Sequence, residues 1–148
     1  MKKMLFLSLF ALAAITACKK DSLGTKPVIT FKSYSYAPVD ASLGLDVTFQ
    51  VKDGDGDIEN ALQFTAIYDR NPTDTNFSGR PMPGLDASKR PNLSAEVVLH
   101  LGTIDFPNDP DNPVAKDSVH FLVYVVDNAN NISDTIATPK VEILYPGS

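Results

Sequence analysis

The chain is poor in the residues that usually mark an enzyme. Its 148 residues include one cysteine, no tryptophan and two histidines, so no intrachain disulfide can form. The G-x-S-x-G motif of serine hydrolases and the H-E-x-x-H motif of zinc proteases do not occur. His100 and His120 stand alone on predicted strands and are interpreted as surface histidines, the alternative being a histidine–aspartate pair assembled by the fold. The sequence therefore predicts a non-enzymatic protein.

Basic residues are also few. Lys2 and Lys3 account for two of the 13 basic residues, so the chain after residue 17 retains 11 basic and 18 acidic residues and a net charge of −7. No basic cluster follows the pattern of a phosphate backbone, and nucleic acid is not expected as a partner. No apolar run reaches the ~20 residues that a transmembrane helix needs.

The N-terminal segment has the pattern of a secretion signal. Lys2 and Lys3 precede a short apolar run that ends in Ile15-Thr16-Ala17-Cys18, as is typical of signal peptides. The cysteine directly after Ala17 resembles a bacterial lipobox. This resemblance implies cleavage after residue 17, a diacylglycerol on Cys18 and attachment to the membrane through that lipid. The alternative is an ordinary signal peptide with a chance cysteine.

The mature chain is predicted to be one domain on a tether. Residues 1–17 are assigned to the signal peptide, residues 18–26 to a lipidated, flexible tether and residues 27–148 to the folded domain. Lys19, rather than an aspartate, follows the lipidated cysteine. By resemblance to lipoprotein sorting rules, this favours the outer membrane, with either the periplasmic face or the cell surface as the location.

Hydrophobic alternation predicts an all-β domain. The two-residue period of a half-buried strand recurs in six segments: 28–36, 43–53, 61–68, 93–101, 118–127 and 132–144. A short additional strand is expected near residues 79–85, because the proline-rich stretch 71–92 is otherwise a very long loop for a compact domain. Pro139 restricts the last strand to an edge or a bulge. Six or seven strands predict an antiparallel, immunoglobulin-like β-sandwich.

Two segments resemble the paired signatures of small immunoglobulin-like lipoproteins of the Bacteroidetes type. The first is residues 53–58, with the sequence DGDGDI, and the second is residues 121–139, with the sequence FLVYVVDNANNISDTIATP. The similarity extends over residues 27–144. The resemblance implies the immunoglobulin-like fold and a location at the membrane, and it identifies no catalytic residues.

The strongest candidate site is the acidic turn after the second predicted strand. Carboxylates and glycines alternate along Asp53-Gly54-Asp55-Gly56-Asp57, so the glycines allow the backbone to curl and aim oxygens at a hard cation such as Ca²⁺. The pattern is not an EF-hand, because Ile58 stands where that loop needs glycine. A calcium site must therefore recruit oxygens from elsewhere. The alternative is a solvated acidic turn.

A second oxygen-rich turn follows the strand of residues 118–127. If the short strand exists, the strands that end at Asp53 and Asp127 run in the same direction, and their turns emerge at the same end of the domain. Without that strand, the turns lie at opposite ends and the prediction fails. The predicted calcium ligands are Asp53, Asp55, Asp57, Glu59, Asp127, Asn128 and Asn130.

Two proline-rich loops, residues 71–92 and 102–117, are the other candidate surface. Proline limits the conformations of such loops, which favours a defined shape that presents apolar side chains to a protein or glycan partner. The candidate side chains are Phe77, Met82, Leu85 and Phe106, and the alternative is that they cap the ends of the sandwich. The leading interpretation is a lipid-anchored adhesion or accessory module. A calcium-stabilised spacer is the second, and a hydrolytic accessory protein the third.

Overall fold

Two β-sheets make up the described part of the chain. The computed structural model describes residues 23–73, 75–82 and 90–147, and within them the regular elements are β-strands and one 3₁₀ turn at Thr103–Asp105. The strands are β1 (Val28–Tyr34), β2 (Val39–Asp40), β3 (Leu45–Asp53), β4 (Ala61–Tyr68), β5 (Ser78–Pro81), β6 (Leu93–Leu101), β7 (Lys116–Val126), β8 (Ile136–Ala137) and β9 (Val141–Leu144). The prediction of an all-β domain is confirmed.

Several predicted features lie outside the described residues. These are the signal peptide, the lipidation site Cys18 and the partner residue Leu85. Among the residues that are described, no helix has the length and apolar character to cross a membrane.

The smaller sheet has the strand order β1-β3-β6, with antiparallel pairing throughout. Its central strand shows the predicted alternation, since Leu45, Val47, Phe49 and Val51 are buried while the residues between them reach the surface. Each of the nine residues of β3 has a partner in β6, from Leu45 opposite Leu101 to Asp53 opposite Leu93. This continuous register holds the end of β3 in place.

The larger sheet has the order β2-β9-β7-β4-β5, with β8 also paired to β7. Strands β2 and β9 are parallel, so the sheet is mixed, whereas the sequence predicted only antiparallel pairs. When the two-residue strands β2 and β8 are set aside, the first, second and fifth strands form one sheet and the third, sixth and seventh belong to the other, as in immunoglobulin-type domains. The fourth strand, β5, differs from the constant-type arrangement, because it pairs with β4 and does not join the smaller sheet.

Both sheets contribute to one hydrophobic core, as expected of a β-sandwich. Phe49 from the smaller sheet and Phe121 from the larger one are among the largest fully buried side chains. Tyr34 joins the two layers, because its ring centroid lies 6.4 Å from that of Phe121. Full burial of an aromatic side chain such as Phe contributes about 1.5–3 kcal/mol.

The short strand that the sequence predicted near residues 79–85 is present as β5, Ser78–Pro81. β5 pairs antiparallel with the start of β4, with Ala61 opposite Pro81. β4 runs antiparallel to both β5 and β7, and β3 runs antiparallel to β6 in the other sheet. Asp53, the last residue of β3, lies beside Asp127, which follows β7, in agreement with a common direction of β3 and β7. Their C-terminal ends emerge together, as predicted.

The last predicted strand is divided in two. Pro139 lies between β8 and β9, because a proline has no N–H for the ladder. Side-chain hydroxyls replace strand partners in this region: the Phe121 N–H donates to Thr138 Oγ1 at 2.9 Å and the Val125 N–H donates to Ser133 Oγ at 3.0 Å. The prediction of one strand over residues 132–144 is corrected accordingly.

Candidate metal centre

The two oxygen-rich turns meet because of the register between β4 and β7. Ala61, at the start of β4, lies opposite Val126, at the end of β7. The acidic turn leads directly from β3 into β4, so it arrives beside the residue that follows β7, Asp127. The Asn128 N–H donates to the Asp57 carbonyl at 2.8 Å and closes the contact between the two turns.

Four carboxylates converge at this point. Asp53, Asp55, Asp57 and Asp127 each offer an oxygen, and the four oxygens lie within 4.8 Å of one another. Asp53 and Asp127 are fully buried, Asp57 is 5% exposed and Asp55 is half-buried. Calcium holds oxygens at 2.3–2.6 Å, so ligands on opposite sides of the ion are about 4.6–5.2 Å apart. The donor set therefore has the chemistry and the span of a calcium site.

Only one of the two oxygens of the Asp53 carboxylate accepts hydrogen bonds. Its Oδ2 accepts the backbone N–H groups of Gly56 and Asp57, both at 2.9 Å. Within the described residues, no donor reaches the buried Oδ1 of Asp53 or the buried Oδ1 of Asp55. A buried carboxylate oxygen without a donor costs about 1–3 kcal/mol or more, and a bound cation removes this cost.

The electrostatics also favour a positive charge at the centre. Burial raises the pKa of the Asp53 carboxyl above its ordinary value, and the adjacent Asp55 carboxylate raises it further, against the N–H donors of Asp57 and Gly56. In the described part of the chain, Asp53, Asp55 and Asp127 form no ion pair with a basic side chain. A cation at the centre would offset both the burial of the Asp53 carboxylate and its repulsion by Asp55.

Asn131 supports the fourth carboxylate, and the sequence argument missed it. Its backbone N–H donates to Asp127 Oδ1 at 2.7 Å and its Nδ2 donates to Asp127 Oδ2 at 2.8 Å. Aspartate and asparagine side chains commonly bond backbone groups a few residues away in turns. The run of asparagines after Asp127 carried that signal, but it did not indicate which of them faces the carboxylate.

The other predicted ligands have different positions. Glu59 is half-buried and does not belong to the group of four carboxylates. Asn128 is exposed and contributes its backbone N–H to the contact between the turns. Asn130 is exposed and has φ +66°, a left-handed conformation that asparagine tolerates, so it shapes the turn.

The two glycines of the acidic turn have different roles. Gly56 has φ +76°, and a Cβ there would lie 2.1 Å from the Arg90 carbonyl oxygen, so the position requires glycine. Gly54 does not have positive φ. A Cβ on Gly54 would lie 2.1 Å from the Leu23 carbonyl oxygen, so glycine is needed there because the N-terminal segment passes against the turn.

The candidate partner residues separate into buried and exposed side chains. Met82 is 9% exposed and Phe106 is 3% exposed, and both belong to the core, in agreement with the alternative that they cap the sheets. The prediction that they face a partner is corrected, because their side chains are covered by the sheets that they close. Phe77 is 39% exposed and packs on Tyr124, with ring centroids 5.2 Å apart.

The histidines are separate from the acidic centre. His100 lies directly opposite Asp46 in the β3–β6 ladder, and its Nδ1 is 2.7 Å from Asp46 Oδ1. Both side chains are exposed, so this is a surface cross-strand pair. Among the described residues, no hydroxyl group bonds to the His100 ring. His120 lies opposite Ile67 on β4 and is half-buried.

The chain was compared with protein-family models, with curated proteins and with solved structures, and nothing matches it. The resemblance to immunoglobulin-like lipoproteins therefore rests on the two segments quoted for it and stays a prediction.

Proposed function

We propose that this chain is a lipid-anchored, non-enzymatic structural domain that is stabilised by calcium at the junction of its two oxygen-rich turns. The observation that carries the proposal is the convergence of four carboxylates, with buried Oδ1 atoms on Asp53 and Asp55 that receive no hydrogen bond within the described residues. Calcium accepts several carboxylates, whereas magnesium usually retains most of its waters and takes one or two.

The physical role of the ion is to join the ends of two strands from different sheets. Without a cation, neighbouring carboxylates repel by roughly 3 kcal/mol per pair at an effective dielectric constant of 20. Calcium converts this repulsion into coordination and links the end of β3 to the turn after β7. The ion thus stiffens the same end of the domain at which the chain enters from the proposed lipid on Cys18.

Thermal unfolding of the chain from residue 18 onwards, with Cys18→Ser to prevent lipidation, tests the proposal. With calcium at one hundred times its dissociation constant, the folded state gains about 2.7 kcal/mol relative to EDTA, which raises the midpoint by several degrees. Magnesium at the same concentration gives a smaller shift. The double variant Asp55→Asn/Asp57→Asn is expected to lose the calcium shift. Equal midpoints of the unmodified chain in calcium and in EDTA contradict the proposal.

One observation favours binding of a ligand as a second candidate function. Phe77 and Tyr124 form an aromatic pair on the outer face of the larger sheet, beside Gln63, which lies opposite Tyr124. Aromatic rings with adjacent amide groups suit the apolar faces and hydroxyls of a glycan. Migration in gels that contain a soluble polysaccharide tests this, and retardation that is lost in Phe77→Ala supports it. Equal migration with and without the polysaccharide excludes binding of that glycan.

A further inference from the structure

The N-terminal segment that enters the domain lies across both oxygen-rich turns. Gly24 and Thr25 belong to the predicted tether, yet their carbonyl oxygens are hydrogen-bonded to the folded domain. The Gly54 N–H donates to the Gly24 oxygen at 3.1 Å, and Asn131 Nδ2 donates to the Thr25 oxygen at 3.1 Å. The tether is therefore held by one bond from each turn.

Both donors are directly connected to carboxylates of the proposed calcium site. Gly54 is the residue after Asp53, and Asn131 Nδ2 is shared between Thr25 and Asp127 Oδ2. Any movement that separates Asp53 from Asp127 also separates the two donors. The tether then loses its simultaneous contact with both turns.

The ion pair of the segment adds little to these two hydrogen bonds. Lys26 Nζ pairs with Asp134 at 2.6 Å, but the two side chains are 55% and 91% exposed. Exposed pairs of this kind contribute about 0–1 kcal/mol. The next residue, Pro27, is buried and leads into β1, so the firmly held part of the chain begins there.

We propose that cation binding at the acidic centre clamps residues 23–26 against the domain, so that the concentration of free calcium controls the stiffness of the link to the membrane anchor. This inference rests on the proposed function, because it uses the same site. Besides the clustering of carboxylates, the state of Asp53 indicates a ligand. Its side chain is fully buried, and its Oδ1 receives no hydrogen bond from the described residues.

The clamp changes how far the domain stands from its anchor. An extended chain spans at most about 3.3–3.6 Å per residue, so with Gly24 held, residues 18–24 reach about 20 Å. Release of the segment up to Pro27 adds up to about 11 Å and removes the fixed direction of exit. Coupling is reciprocal by thermodynamic necessity, so docking of the tether also raises the affinity for calcium.

Nuclear magnetic resonance of the Cys18→Ser chain from residue 18 tests the clamp. Calorimetry first establishes whether calcium binds, and the heteronuclear NOE of the Gly24, Thr25 and Lys26 amides then reports their picosecond-to-nanosecond motion. In calcium, these NOE values are expected to equal those of β3, and in EDTA they fall to those of a flexible terminus. Calcium binding with the same NOE values in both conditions overturns the clamp alone. Absence of calcium binding overturns the proposed function together with the clamp.

A glycine substitution gives a second, independent test of the coupling. In Gly54→Ala, the new Cβ would lie 2.1 Å from the Leu23 oxygen and 2.4 Å from the Gly24 oxygen, so the segment is displaced while all four carboxylates remain. Residues 24–26 are expected to stay mobile in calcium, and the calcium affinity falls by roughly 5-fold or more. Gly102→Ala is the matched control, because no described atom lies within 4 Å of the position that its new methyl group would take. An unchanged calcium affinity in Gly54→Ala overturns the coupling.

Discussion

The side chains of Asp53 and Asp127 approach to within 4.8 Å of each other, and both are fully buried. Asp53 is the last residue of β3 and Asp127 directly follows β7 in the other sheet, and the C-terminal ends of these two strands lie together. Asp53 is fixed by N–H groups of its own turn and Asp127 by Asn131. Two separately supported carboxylates thus face one point.

Removal of one charge from the centre is expected to have opposite effects with and without calcium. In Asp55→Asn, the free energy of unfolding in EDTA, measured by thermal unfolding, rises by about 1–3 kcal/mol, because the repulsion between Asp55 and the neighbouring carboxylates is relieved. In calcium the same variant is less stable than the unmodified chain, since a ligand is lost. Asp69→Asn, which removes an exposed carboxylate paired with Lys140, is the control and changes little. A variant that is less stable in both conditions contradicts this expectation.

Phe106 and Phe77 are expected to differ strongly in their contribution to stability. Phe106→Ala removes a buried core side chain and lowers the free energy of unfolding by about 3–5 kcal/mol. Phe77 is 39% exposed, so Phe77→Ala costs less than about 1 kcal/mol. Urea unfolding measures both, with stability read from the midpoint at an unchanged slope. Similar losses in the two variants would show that Phe106 does not have the buried position described.

Arg70 is expected to anchor the loop between β6 and β7. Its Nε lies 3.1 Å from Asp117 Oδ2, and its Nη groups donate to Asn108 Oδ1 and the Pro107 carbonyl. Lysine cannot reproduce this fork of donors, so Arg70→Lys lowers the free energy of unfolding by about 1–3 kcal/mol. It also increases hydrogen exchange in the loop. Lys140→Arg, at an exposed pair, is the control, and an equal effect of both substitutions would argue against the anchor.

The raised pKa of Tyr68 predicts that the free energy of unfolding falls at high pH. Burial raises the pKa of Tyr68 well above its ordinary value of 10.0, and the neighbouring Tyr145 raises it further, while Arg70 lowers it. The folded state therefore retains the proton more strongly than the unfolded state. This contribution to stability is fully present below pH 10 and is lost as the pH rises through the folded-state pKa.

Ultraviolet titration of tyrosinate measures this effect. In the folded chain, Tyr68, and with it Tyr34 and Tyr145, have a raised pKa and titrate above the ordinary range, whereas all titrate near it in denaturant. Tyr68→Phe removes the highest of these ionisations and reduces the alkaline loss of stability. Coincident titration curves in the native and denatured chain would contradict the prediction.

The strands could be predicted from the sequence because the alternation of apolar and polar residues depends only on neighbours along the chain. The side chains of β3 point alternately to the core and to water, and a polar residue at any inward position would be costly to bury. Irregular segments were harder. Pro139 divides a predicted strand through its missing N–H, and Met82 and Phe106 lie in loops whose packing depends on the sheets that they cover.

The sequence by itself determined the alternating strands, the two oxygen-rich turns and the lipobox-like pattern near the N-terminus, since each of these depends on residues that are neighbours along the chain. Only the tertiary structure decided that Asp127 joins Asp53, that Asn131 supports it, and that residues 24 and 25 lie across both turns. Those contacts depend on the register between β4 and β7 and on the entry path of the chain. Both are set by the packing of two sheets on one core.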